Sequence, residues 1–343
     1  MKIDILITRY NEPVKLLLRL LDSIKNQLNF DFNNLNVFII NDGIENAINT
    51  DFIQNYPFKI TYKAIEKSGV SVARQLAFNL TNSDYVMFCD TDDFFHSCFG
   101  LATVYTALTL ADSAPDLVQS LVAETDACEL NNKNFINYAT CDGTIHGKVF
   151  KRSFLVKHNI TWNPDLTLYE DGVFTLLVRS FQPKTSAINL SFYCYDHFNS
   201  SVTRALYDCE LKEAINKSCT AINTLVEYCF DFLTEHNNIT FINKLFLNSI
   251  CIYYLYIMTL KLANKDSHEL ETTLYNFYTK YNEFILKNNI KNEMQNSYID
   301  IIQNLYLEQD PLLTTIQNST ENMEYCIINF KTWFEDEFLT KIK

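Results

Sequence analysis

At 343 residues the chain has room for two domains, each able to bury a sizeable core. Its 48% hydrophobic and 20% charged residues, with only 6 Gly and 6 Pro, are those of a globular protein without low-complexity tracts or internal repeats. The net charge of −13, with no basic block, argues against a broad nucleic-acid surface but not against a nucleotide held through a metal. The 10 Cys show neither a Cys-x-x-Cys pair nor zinc-ligand spacing, so a reducing cytoplasm is the expected location. Met1 to Ile7 is too short and too soon acidic for a signal peptide. Leu245 to Ala263 approaches bilayer-spanning length. It carries Asn248, Ser249, Tyr253, Tyr254 and Lys261, so a buried helix is expected and no stable transmembrane segment.

In chain order, Ile3 to Ile7 reads as a buried strand, followed by the loop Thr8-Arg-Tyr-Asn-Glu-Pro13, with Pro13 fitting a first helical turn. Leu16, Leu17, Leu20, Leu21 and Ile24 then recur at helical spacing. Val37 to Ile40 is a second strand, ending in Asn41-Asp42-Gly43, and Ile60 to Ile65 a third. A helix with apolar Val72, Ala73, Leu76, Ala77 and Leu80 precedes the strand Tyr85 to Cys89. This alternation predicts a parallel, doubly wound sheet.

Three carboxylates, Asp90, Asp92 and Asp93, arrive at the carboxyl end of that last strand, where open α/β sheets bind ligands. Like charges so close need a cation or hydrogen-bond donors, and a hard divalent ion suits carboxylate oxygens. A solvated acidic turn is the plain alternative.

Further on, Leu101 to Leu110 predicts a helix and Asp116 to Val122 a strand. Thr144 to Phe150 is strand-like but broken by Gly147, with a short helix around Phe154. Glu170 and Asp171 open an apolar helix, Val173 to Val178, where the helix dipole alone would welcome them. From about Leu206 the pattern becomes helical only: a stripe from Leu211 to Cys229, then Phe241–Ala263, Leu270–Leu286, Tyr298–Leu307 and Met323–Ile342.

Taken in order, Thr-Arg-Tyr-Asn-Glu, Asn-Asp-Gly, Gly-Val-Ser-Val-Ala-Arg, Asp-Thr-Asp-Asp, His-Gly-Lys-Val-Phe-Lys-Arg and Tyr-Glu-Asp-Gly resemble family 2 glycosyltransferases of the compact type found in bacteria and phages. The resemblance implies a GT-A, Rossmann-like, mostly parallel sheet over residues 1–205 that binds a sugar nucleotide. An α-helical domain over 206–343, for acceptor recognition or oligomerisation, would follow. It further implies a UDP-sugar donor, Mn²⁺ or Mg²⁺, and inverting transfer to an acceptor hydroxyl. That acceptor would be a glycan, a lipid-linked sugar, a protein or a hydroxymethylated base in DNA. An inactive sugar-nucleotide- or glycan-binding protein is the reading from another class.

Carried over residue by residue, the resemblance places Thr8, Tyr10 and Glu12 at the nucleoside, Asp42 at uracil and Arg74 near the nucleotide. Asp92 would ligate the ion directly, Asp90 would reach the ribose or metal waters, and Asp93 would stand behind them. His146, Gly147 and Lys148 would border the donor sugar, although His146 reads equally as a partly buried structural histidine. His197 would be a third metal ligand and Arg204 a phosphate clamp. Asp171 would be the catalytic base, with Glu170 as its neighbour or an acceptor contact. The chain departs from the family at Arg9, where Pro is common, at Asn41 and Ile44 beside the uracil Asp, and at Gln75. An aspartyl-phosphate phosphatase would carry its Asp pair after the first strand, and a nucleotidyltransferase would have a Gly-rich loop within Ile3 to Pro13; neither is present.

Overall fold

The computed structural model describes residues 1–110, 113–125, 136–138, 143–166, 168–196, 209–288, 290–307, 311–313, 316 and 320–342. His197 and Arg204 lie outside the described residues. The chain divides into two compact units, Met1–Ser201 and Val202–Lys343.

Unit 1 runs β1 (Ile3–Arg9), α1 (Val14–Lys25), β2 (Leu35–Asp42), β3 (Lys59–Ile65), α2 (Val70–Leu80), β4 (Tyr85–Asp90), β5 (Phe94–Phe95) and α3 (Gly100–Leu110). It continues with β6 (Leu117–Thr125), β7 (Ile136–Tyr138), β8 (Lys148–Lys151), α4 (Arg152–Lys157), α5 (Glu170–Ser180) and β9 (Thr185–Asp196). All seven residues of β1 are buried, as expected of a central parallel strand covered on both faces. α1 buries the anticipated Leu16, Leu17, Leu20, Leu21 and Ile24, with Pro13 just ahead of its first turn.

The strands form one nine-stranded sheet in the order β3-β2-β1-β4-β8-β6-β9-β5, with β7 paired to β6. The β3-β2-β1-β4 half is parallel. Strand order reverses at β1, with β2 on one side and β4 on the other, and Thr8 stands opposite both Ile40 and Asp90. Such a reversal opens a crevice at the carboxyl ends of the strands. The remaining half is mixed, because β8 runs antiparallel to both β4 and β6 while β9 is parallel to β6.

Three local outcomes differ from the sequence expectation. Of Thr144 to Phe150 only the end is strand, because the chain turns at Gly147, whose φ is +63°. β9 carries no clear strand signal, since its first half is largely exposed and the register against β6 shifts on either side of Leu121. The buried face of α2 is Ser71, Ala73, Arg74, Ala77 and Phe78, with Leu80 exposed, so the helix is rotated to bury an arginine.

Unit 2 is helical: α6 (Leu211–Glu235), α7 (Ile239–Leu262), α8 (His268–Thr279), α9 (Asn282–Lys287), α10 (Ile290–Leu307) and α11 (Thr320–Thr332), which runs on into a π-helical turn, Trp333–Phe338. The single helix expected over Leu270–Leu286 is broken at Lys280 and Tyr281. Among the described residues α7 alone is long and apolar enough to cross a membrane, and 78% of its most apolar window is buried within the protein.

The join of α3 to β9 leaves no room for a side chain at Gly100, where a Cβ would lie 2.7 Å from Phe192 Cβ. Gly100→Ala is therefore expected to cost about 1–3 kcal/mol. The loss should appear as a lower urea midpoint at unchanged slope.

Candidate active site

The acidic turn is fastened before it does anything else. Thr91 Oγ1 donates to the Thr8 carbonyl at 2.7 Å, tying the turn to β1. Asp93 is fully buried and accepts from the Tyr193 hydroxyl and, at 3.0 Å, from the Asp196 backbone N–H. Burial pushes its carboxyl well above the usual range; His146 opposes this while Asp92 and Asp90 add to it. Asp93 is thus built into the pairing of β5 with β9, as the residue behind the site.

Asp90 takes part in a second construction. Arg74 donates to Asp90 Oδ1 and to Glu170 Oε1, each at 2.8 Å, so one guanidinium joins the end of β4 to the start of α5. Arg74 is buried, and its guanidinium carbon lies 4.8 Å from the Trp162 ring, which is stacked on Phe174 at 4.3 Å. Burial alone would raise the Asp90 carboxyl, but Arg74 and then His146 override it and hold it well below the ordinary carboxylate range. Glu170 moves the other way: burial raises it against the pull of Arg74, and Asp171 adds to the rise.

The residue before this pair, Tyr169, has φ +62° and ψ 18°, a left-handed conformation that a bulky side chain adopts only under constraint. Asp171 is half-buried and accepts at 2.7 Å from the backbone N–H of Gly172. Arg74 pairs with its neighbour Glu170, and among the described residues no ion pair reaches Asp171.

Asp92 is partly exposed, and no ion pair among the described residues reaches its carboxylate. Its pKa is pushed up to about 7, by burial first and then by Asp90 and Glu12, with its own backbone N–H and His146 opposing. A group in this state is strongly favoured by an added positive charge.

The donor atoms that converge are those of Asp90, Asp93 and His146, all within 4.8 Å of one another. Of the expected Asp92, Asp90 and His197, only Asp90 belongs to this cluster; Asp92 stands beside it and His197 lies outside the described residues. His146 Nε2 lies 3.4 Å from Asp90 Oδ2 and 3.7 Å from Asp93 Oδ2, beneath Tyr193 and Tyr195. Burial lowers its pKa, but Asp90 and Asp93 raise it to a net value above the usual one. Carboxylate oxygens with one imidazole suit Mn²⁺ or Mg²⁺, so the residues present fit such an ion.

At the carboxyl end of β1, Arg9 is buried and donates to Asn41 Oδ1 and to the carbonyls of Asn46 and Glu12. The Tyr10 N–H donates to Glu12 Oε2 at 2.8 Å, and Lys67 lies 4.3 Å above the Tyr10 ring. Asp42 accepts from the N–H groups of Ser68 and Gly69 at 2.6 and 2.9 Å, which fixes the loop before α2. Lys148 is almost fully buried with its ammonium on the Thr144 carbonyl, where it shapes the turn at Gly147.

In the sequence Arg9 stands out only as a departure from the family pattern, and Trp162 and Tyr193 not at all. A charged residue ending an otherwise apolar central strand is a signal that could have found Arg9. Nothing local marks the other two.

A parallel half-sheet with an acid-tipped strand at its reversal point, completed by antiparallel strands and followed by a helical region, defines the GT-A class of glycosyltransferase folds. Within that class, residues 4–99 match the family model Glycosyl transferase family 2, and the chain resembles that family. It is 27% identical over 244 residues to the teichoic acid poly(glycerol phosphate) polymerase of Staphylococcus epidermidis, over 64% of this chain and 33% of that protein. The chain therefore spans only a minor part of that curated relative. The structure of S. aureus TarS 1–349 in complex with UDP matches with a TM-score of 0.55 at 13% identity, over 97% of this chain and 92% of that one. The same protein in complex with UDP-GlcNAc matches with a TM-score of 0.50 at 13% identity over the same shares. Glu170 and Asp171 lie beyond the segment matched by the family model.

Replacing Arg74 by Met leaves Glu170 without its ion-pair partner and Asp90 with His146 alone. The expected loss is about 3–5 kcal/mol, because breaking a buried pair leaves an uncompensated charge. Adding Glu170→Gln to Arg74→Met should recover part of that loss in a denaturation series. Equal stability of the single and double variants would contradict the bridge.

Proposed function

We propose that this protein transfers a glycosyl group from a UDP-sugar to a hydroxyl of a cell-surface polymer, with inversion at the anomeric carbon and with help from a divalent cation. The observation that carries this is the Arg74 bridge, which brings the strand-end carboxylate Asp90 beside the helix-end pair Glu170 and Asp171. A cation that would offset a leaving diphosphate needs the first, and an attacking hydroxyl needs the second as its base.

UDP as donor is supported by the similarity to TarS structures holding UDP and UDP-GlcNAc, and a wall-polymer acceptor by the teichoic acid polymerase among the relatives. Asp171 takes the proton from the acceptor hydroxyl as that oxygen attacks, the work of a general base within hydrogen-bond reach. Arg74 holds Glu170 against α2, which keeps the first turn of α5, and Asp171 with it, at a fixed place. Tyr10 and Glu12 border the nucleoside, on a loop that Arg9 ties down. The cluster of Asp90, Asp93 and His146 would hold the cation, with Asp92 reaching it from the same turn, and the ion when bound would offset charge on the diphosphate leaving group.

The test is release of UDP from a panel of UDP-sugars with Mn²⁺ or Mg²⁺, with a teichoic-acid-type polymer as acceptor. Asp171→Asn should lower kcat by about 10²–10⁴-fold while leaving UDP binding intact, the usual scale for a lost general base. Asp92→Asn should lose both turnover and its dependence on the cation. Unchanged turnover in both variants would overturn the assignment. Binding of UDP-sugars by a wild type that turns over none of them would instead favour a binding protein.

A further inference from the structure

The turn that carries Asp92 is gripped by a helix that the chemistry above does not use. Arg19, on α1, donates through one guanidinium nitrogen to the backbone carbonyl of Asp92 and through another to the carboxylate of Asp196, the last residue of β9. Its guanidinium carbon also lies 4.7 Å from the centroid of the Phe94 ring, two residues beyond Asp92. Asp196 is nearly inaccessible, its side chain 1% exposed, and its own backbone N–H donates to Asp93. A closed loop of interactions results, from Arg19 to Asp92, along the chain to Asp93, across to Asp196 and back to Arg19. Arg19 and Asp196 are 177 residues apart in sequence.

We propose that Arg19 is a positioning residue that aims the Asp92 carboxylate at the cation by locking the Asp92–Asp93 peptide between α1 and the end of β9. This rests on the divalent-cation site proposed above. Holding the carbonyl of Asp92 fixes the rotation of that peptide and so the direction in which the side chain leaves the backbone. Arginine suits the task because its planar fork reaches two acceptors at a set angle, whereas a lysine ammonium is a single point charge.

The electrostatic sign makes the idea separable from a simple charge effect. A positive charge beside a cation site repels the ion. Removing it should therefore tighten cation binding if Coulomb forces alone were at work. A positioning role predicts the opposite, because groups that orient metal ligands typically matter by about 10–100-fold in affinity.

The experiment measures Mn²⁺ binding to the full chain by electron paramagnetic resonance, with Mn²⁺ alone and with added UDP. Wild type is compared with Arg19→Met, Arg19→Lys, Asp196→Asn and the Arg19→Met/Asp196→Asn double variant. Arg19→Met should bind Mn²⁺ about tenfold more weakly, with circular dichroism and Tm showing a folded protein. Arg19→Lys, which keeps the charge but reaches one acceptor at a time, should fall between it and wild type. The double variant restores charge balance and should be no weaker than Arg19→Met, because both changes break one clamp. Affinity in folded Arg19→Met equal to or tighter than wild type overturns the proposal. If Arg19→Met does not fold, wild-type affinity in Arg19→Lys overturns it instead. A wild type that binds no Mn²⁺ in either condition overturns the cation site and the clamp together, whereas binding by wild type with unchanged variants overturns the clamp alone.

Discussion

A buried guanidinium is tolerated only when its charge is matched, and at Arg74 two carboxylates from distant parts of the chain match it through its two terminal nitrogens. The constraint works in both directions. Asp90 and Glu170 stay in place because Arg74 is there, and α2 is rotated so that Arg74, rather than Leu80, faces inward. Trp162 closes the remaining face of the guanidinium and rests on Phe174, within α5 itself. The separation between the end of β4 and the start of α5 is therefore set by one side chain. Those two places are where the two halves of a transfer reaction would have to meet.

The three carboxylates of the acidic turn illustrate how neighbours of one residue type acquire different work. Asp93 is enclosed and bonded to Tyr193 and Asp196, so it joins β5 to β9. Asp90 is held ionised by Arg74 and His146. The Asp92 carboxylate has no ion-pair partner among the described residues, and its pKa is raised by burial first and then by the neighbouring Asp90. The division follows from what each reaches: Asp90 turns to Arg74 on α2 and Asp93 to β9, while Asp92 stays partly exposed.

Much of the fold was legible because parallel strands and amphipathic helices carry strong periodic signals. β1 through β4 and α1 fall where apolar runs and helical spacing put them, since each buries its apolar residues against the others. β9 was missed because half of it is solvent-facing and rich in Ser, Thr and Asn, so only its pairing with β6 and β5 makes it a strand. At the site, the acidic residues were legible as unusual charge at strand and helix ends. Their sorting into ligand, bridge and support was not, because it depends on Arg74, His146 and Tyr193, which come together only in three dimensions. Arg74 was noticed as a helix arginine near the nucleotide, yet its partners, Asp90 and Glu170, lie 16 and 96 residues away.

The same logic of polar groups fixing an apolar assembly governs unit 2. By composition α7 reads as a candidate membrane span, but four of its polar side chains are bonded to the helices around it. The Tyr253 hydroxyl donates to Asn223 Oδ1 at 2.6 Å and lies 3.1 Å from the Cys219 carbonyl, both on α6, and Tyr254 donates to the Cys326 carbonyl on α11. Ser249 shares a hydrogen bond with Tyr278 on α8, and Asn243 donates to Glu293 on α10. Apolar packing alone would let such a helix slide or rotate among its neighbours at little cost. A buried hydroxyl that loses its partner pays the full desolvation penalty of about 1–3 kcal/mol, so each of these bonds penalises any other register. An otherwise greasy helix is thereby made the fixed axis of its own bundle, with contacts specified to four surrounding helices.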